Sequence, residues 1–355
     1  MSASATLAPP RAPSRWPASA LAASAIVVAL AWWAVEHLGG GGLHPRSVEM
    51  LTAARALQSA SRVIAAEKAA RGLMQPAATD PNRTGLIGPE FTAITTTMGD
   101  LASKRTVTNP DFAAALVRSI AGLNLPAGSP VVVIVSGSFV GADIASLAAV
   151  EALGLRPVLI ASLSASMFGA TDPDFNILDM LGVLRRQGVL RTTTAMAVLG
   201  GEKGIGGDME KDAADQLRAS ASREEVRLVD APPYPAIIDR LLEEVDRLLG
   251  AGTRAGLVIN VGGALVALGT CPESYGLQPG MTLHPADCRE GTPGLPLRLA
   301  VRDDALVLHI INIRKLALDL GLPFDPKPLP QPGSARSVYT ASSTSTNTIL
   351  QGATR

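Results

Sequence analysis

From residue 130 onward the chain alternates short apolar runs with amphipathic stretches. PVVVIVSG (residues 130–137) is a continuous β-branched run of the kind buried on both faces of a parallel sheet, and ADIASLAAVEALG follows it with helical spacing. RPVLIAS (156–162), TTTAMAVLGG (192–201), VRLVDA (226–231) and AGLVINVGG (255–263) repeat the strand signal. Between them, DMEKDAADQLRASA and YPAIIDRLLEEVDRLLG supply the long crossovers that parallel strands require. The predicted fold is α/β, a doubly wound and mostly parallel sheet flanked by helices. Right-handed crossovers then place the strand-end loops along one edge.

Upstream, SVEMLTAARALQSASRVIAAEKAARG (47–72) carries apolar residues at helical spacing with charges on the other face. It reads as a helix that either lies against the domain or leads away from the membrane. PDFAAALVRSIAGL is a second amphipathic helix, stopped by Gly122. Residues 16–36 hold an uncharged run, and about 20 residues at 1.5 Å rise cover roughly 30 Å, one bilayer core. Trp16, Trp32 and Trp33 sit at its ends, and Arg11 and Arg15 precede it. Such a span keeps its positive side inside and leaves the C-terminal bulk extracytoplasmic. The alternative is a cleaved signal peptide, since the segment is rich in Ala. The organisation expected is a cytoplasmic disordered arm (1–15), an inner-membrane helix (16–36), a linker with the tetraglycine tether (37–50), an extracytoplasmic α/β domain (51–325) and a disordered tail (326–355). The tail is expected because PKPLPQPG and the Ser/Thr-rich stretch after it show no periodicity.

Composition narrows the choice of partner. With 31 basic and 31 acidic residues the chain is formally neutral, which argues against nucleic acid, so recognition of a polyanion has to be local. The 47% hydrophobic, aromatic-poor composition fits an α/β protein. Two cysteines, Cys271 and Cys288, flank a Gly/Pro-rich loop. In an oxidising compartment they can join, closing a loop worth roughly 3 kcal/mol in the chain-entropy model; otherwise they are two free thiols. His284 alone beside them is too few ligands for zinc, so no metal is expected. GGEKGIGGD has neither the dinucleotide nor the P-loop spacing, and no cofactor is expected.

The candidate chemistry lies in two places. One is the set of strand-end loops: Ser136 and Ser138, Ser162 to Ser166, residues 200–208 ending in Asp208, and Asn260 with Gly262 and Gly263. They are small, polar and rich in backbone N–H, and several precede helices whose amino ends carry roughly half a positive charge. The bland alternative is that Gly and Ser only make tight turns. The other is residues 85–116, where Glu90, Thr95, Thr96, Thr97, Asp100, Lys104 and Arg105 lie close together. An Arg fork and Thr hydroxyls suit a carboxylate-bearing chain, although adjacent cations are as often solvated surface. For catalysis, Ser136 or Ser138 as nucleophile and Glu90 or Asp100 as acid–base groups are the candidates. SGSFVG is not the nucleophile elbow of the α/β hydrolases. Asp179 and Asp208 fit helix caps equally well, and His309 lies in the apolar strand-like run LVLHIINI, where a histidine is more often a core residue.

GLIGPEFTAITTTMGDLASKRTVTNPDFAAAL, VVVIVSGSFVGADIA, LIASLSASMFGATDP, NILDML, LGGEKGIGGD, VINVGG and LHIINIRKLALDLGLPFDPKPLPQPG occur in that order. Across residues 51–333 this series resembles the poly-gamma-glutamate system protein family, a membrane-anchored component of bacterial capsule machinery. The resemblance implies an accessory role in poly-γ-glutamate synthesis or export, with the anionic polymer and other capsule membrane proteins as partners. The alternative reading is a hydrolase or transferase acting on γ-glutamyl amide bonds. One departure is that Val140 and Asp143 stand where the family pattern carries Pro and Asn after SGSF.

Overall fold

The computed structural model describes residues 24–30, 42–275, 278–282 and 288–341. Residues 24–30 are helical (α1). The rest of the expected span 16–36, and His284, lie outside the described residues. Among the described residues no helix is long and apolar enough to cross a membrane.

The sheet expected from the sequence is present. Its seven strands are β2 (Pro130–Val135), β3 (Arg156–Ser162), β5 (Thr194–Val198), β6 (Arg227–Leu228), β7 (Leu257–Val261), β8 (Gly280–Thr282) and β9 (Leu306–Ile310), in the order β6-β5-β3-β2-β7-β9-β8. All neighbours are parallel except β8, which runs antiparallel to β9 at the edge. The chain steps outward from β2 through β3, β5 and β6, then returns to lay β7 on the other side of β2. The reversal therefore falls between β2 and β7.

Side chains alternate along each strand, so the two faces make two cores. Val131, Val133 and Val135 face α2 (Ser47–Ala70), α4 (Asp111–Ala121), α5 (Val140–Ala152), α6 (Ile177–Arg186) and α7 (Lys211–Arg223). Val132 and Ile134 face α8 (Ala236–Leu249) and α11 (Leu295–Asp303). Burial of both faces explains why β2 and β3 read as unbroken apolar runs. In α8 the buried Ile237, Leu241, Val245 and Leu249 recur every four residues, the stripe that docks a surface helix. α2 buries Met50, Ala53, Leu57, Ala60 and Ile64 against α4 and α5, so it lies against the domain. Each fully buried Leu or Ile of that stripe contributes roughly 1.5–3 kcal/mol of hydrophobic transfer.

The smaller elements complete the frame. β1 (Thr95–Thr97) pairs in parallel with β4 (Ala165–Ser166), apart from the main sheet. α3 (Leu101–Thr106), a 3-10 turn at Glu202–Gly204, α9 (Leu265–Leu268), α10 (Pro272–Tyr275) and α12 (Ile313–Asp319) are short. Cys271 and Cys288 are bonded, with their Cα atoms 5.5 Å apart.

The expectation of a disordered segment from residue 326 does not hold as far as residue 341. Asp111, fully buried at the head of α4, accepts from the Gly333 and Ala335 N–H groups (both 2.8 Å) and from the Tyr339 hydroxyl (2.7 Å). Arg118 donates to the carbonyls of Ser337, Val338 and Thr340, over α13 (Arg336–Tyr339). Two buried or half-buried charges so supplied with backbone partners hold a segment whose own composition forms no core. Gly42 to His44 then pair with Tyr339 to Ala341, so the two ends of the described body meet.

Candidate functional site

The carboxyl ends of β2 and β7 lie side by side at the reversal of strand order, where open α/β sheets form a ligand crevice. Ser136 Oγ donates across to the Val261 carbonyl (3.1 Å) and accepts from Ser138 N–H (3.4 Å). Gly262 adopts φ +89°, and a methyl group there would press on Ser136 Oγ, so only glycine brings the two turns this close. Asn260 Nδ2 donates to the Gly262 carbonyl (3.0 Å) and lies 3.1 Å from His309 Nδ1. Burial lowers the His309 pKa to about 4. The imidazole is neutral at pH 7 and part of the wall beneath the turn.

The next loop joins from β3. Ser166 N–H donates to Ser138 Oγ (3.1 Å), and Ser162 and Ser164 approach Gly200 at the end of β5 closely enough that a methyl group there would meet both hydroxyls. Thr96 Oγ1 reaches Ser164 Oγ at 3.4 Å. Asp208 accepts from Glu202 N–H (2.7 Å) beside Gly201 and staples that loop. The four strand-end loops read from the sequence therefore converge on one edge, and the Thr block docks against them through β1 and β4.

Lys104 and Arg105 part company. Consecutive helical residues point about 100° apart at 3.6 residues per turn. Lys104 Nζ contacts the Ser138 carbonyl and Ser166 Oγ and lies 4.6 Å from the centroid of the Phe139 ring. Arg105 turns to the opposite side, where its fork grips Asp325 with two 2.7 Å bonds. The structure does not place its guanidinium beside the Lys104 amine: it holds the segment that leads into the C-terminal stretch.

The remaining candidates separate in the same way. Asp100 caps α3, accepting from Ser103 N–H (2.8 Å) and Ser103 Oγ (2.6 Å), and those bonds hold its carboxyl below the usual range. Glu90 and Thr97 are exposed, and Thr95 Oγ1 accepts from Thr92 N–H within its own turn. Asp179 closes a capping box with Asn176 and pairs with Arg223. Gly263 is exposed at the end of the turn after β7. Of the expected set, Lys104, Ser136, Ser138, Ser166, Asn260 and Gly262 meet at the β2/β7 reversal; Thr96, Ser162 and Asp208 lie on its β5 side.

Asp143 is the residue that reading the sequence missed. It lies in the first turn of α5, is 0% exposed, and neither carboxylate oxygen has a hydrogen-bond partner. Burial pushes its pKa well above the carboxylate range; Lys104 and the nearby N–H groups of Gly137 and Ser136 pull the other way without prevailing. Burial also lowers Lys104 to about 7, against the attraction of Asp143 and Asp100. The signal available was a carboxylate in an otherwise apolar helix, ADIASLAAV, directly after the SGS turn. Among the described residues no group of His, Cys, Asp and Glu is arranged to hold a metal.

Fold and site together define a mostly parallel α/β protein with buried serine hydroxyls, a lysine and glycine turns gathered at its switch point. No family model, no curated protein and no solved structure matches the chain, so this class is as far as the comparisons carry it.

Proposed function

We propose that the chain is a membrane-anchored, extracytoplasmic component of poly-γ-glutamate synthesis or export, and that its crevice holds a stretch of this acidic polyamide. The observation that carries the reading is the convergence of Ser136, Ser138, Ser166 and Lys104 with the glycine turns at the switch point. Backbone N–H groups and hydroxyls there suit the amides and carboxylates of a polymer without any excess of basic residues. The resemblance of the ordered motif run to the capsule family supports poly-γ-glutamate as the polymer. Residues 16–36 supply the bilayer anchor, and the Cys271–Cys288 bond supports an oxidising compartment.

Isothermal titration of the purified full-length protein with poly-γ-glutamate tests it. Binding is expected to weaken about tenfold or more in Lys104→Ala and to persist in Arg105→Ala, whose loss falls on stability instead. An intact chain that binds no polymer sinks the reading. The Lys104–Ser166 contact favours a second one, a hydrolase or transferase of γ-glutamyl amides. Chain length of the polymer after incubation is the readout there, and unchanged length across pH removes it.

A further inference from the structure

A lysine used only to hold an anion sits at the water edge, where an ammonium keeps its charge at little cost. Lys104 is 3% exposed, and its amine is lodged on the hydroxyl of Ser166, itself 8% exposed, and on the Ser138 carbonyl. We propose that Ser166 and Lys104 form a nucleophile–base pair, so that the crevice transfers or hydrolyses acyl groups through an acyl-serine intermediate. The identity of the acyl group, a γ-glutamyl amide, rests on the polymer reading above.

The geometry supplies each part. Lys104 is faced by Asp143 from α5, by Asp100 from the head of its own helix, by the Phe139 ring and by the two serines. A neutral amine keeps a lone pair for the Ser166 hydroxyl proton while one of its N–H groups donates to the Ser138 carbonyl. Desolvation holds the amine near neutrality, with a pKa of about 7. Beside the pair, α5 opens without a side-chain cap at Phe139, so its positive end faces the Ser138 turn where an oxyanion would develop. The unpartnered Asp143 buried in that same turn is the independent mark of a polar centre.

In the first step Ser166 Oγ attacks the carbonyl carbon as its proton moves to Lys104 Nζ. The C–N bond then breaks, and that proton passes to the leaving nitrogen, which gives an ester on Ser166 and a free amine. Water, or an amine acceptor in transfer, attacks the ester while Lys104 takes its proton. The C–Oγ bond breaks and Lys104 returns the proton to Ser166. Hydrolysis consumes one water and changes no oxidation state.

The test treats the full-length protein with an alkyl fluorophosphonate, where Ser166 Oγ displaces fluoride from phosphorus. One adduct per chain, mapped by peptide mass to Ser166, is expected, with a labelling rate that rises through a midpoint near pH 7. Ser166→Ala abolishes the adduct. Lys104→Arg, which keeps the charge but has no neutral form at these pH values, slows labelling about 100-fold or more. A thermal melt shows whether Lys104→Arg has folded; if it has not, the mapped site and the pH profile of the wild-type chain decide. No adduct, an adduct at another residue, a flat pH profile, or a folded Lys104→Arg that labels at the wild-type rate overturns the pair. Wild-type chain that binds the polymer but does not label removes the pair and spares the polymer reading. Labelling without polymer binding does the reverse.

Discussion

At the scale of single residues, the buried Asp143–Lys104 pair dominates the electrostatics. A carboxyl whose folded pKa is raised binds its proton more tightly in the native state, so its contribution to stability is full below the unfolded pKa near 3.8 and is lost as pH climbs through the folded value. Lys104 behaves in the opposite sense. Between about 7 and 10.5 the unfolded chain carries the extra proton, and stability rises with pH across that window. Lys68, buried with its amine on the Ile87 carbonyl and lowered to about 8, adds to the same limb. Asp143→Asn should therefore leave stability at pH 7 unchanged or raise it by about 1 kcal/mol, and should abolish the decline that begins above pH 4. Urea denaturation of both chains from pH 5 to pH 9 gives the answer; a variant that is less stable at pH 7 would show that the carboxylate has a partner when charged.

Among elements, the turns matter more than the strands they follow. Gly262 holds β7 against the β2 turn at a φ that side chains rarely adopt, so Gly262→Ala should cost about 1–3 kcal/mol and lower the melting temperature by roughly 2–4 °C per kcal/mol. A melting temperature within 1 °C of wild type would show that the turn relaxes at no cost. β2, β3, β5 and β7 were legible because burial leaves an uninterrupted apolar run, and β3 matches its expected bounds at both ends. β4 has two residues and β8 three, too short for any period to register, and β6, expected from VRLVDA, keeps only two residues of that run. α6 escaped notice although its capping box, Asn176 with Asp179, was visible in NILD. The convergence of the loops followed from crossover handedness and was legible for that reason. The fate of Arg105 was not, because its partner Asp325 lies 220 residues away and nothing local to either residue marks the pair.

Across the whole molecule, the final ordered stretch is held by the buried Asp111 carboxylate together with Arg118 rather than by a core of its own. Removing it in Asp111→Ala should free residues 333–341, with loss of their hydrogen-exchange protection while the amides of β2 and β3 stay protected, at a global cost of about 1–3 kcal/mol. Equal loss of protection in the sheet would mean that the stretch is integral to the fold. The same stretch was read as unstructured because composition reports what a segment can bury by itself and is silent on what a distant aspartate or arginine can hold.

The short zipper between residues 42–44 and 339–341 has a mechanical corollary. Both strings of the fold emerge through one knot, so tension applied between the two termini peels that knot open bond by bond and never shears the central strands. A load travelling from one terminus to the other would be met first by this zipper and not by the strand-end turns.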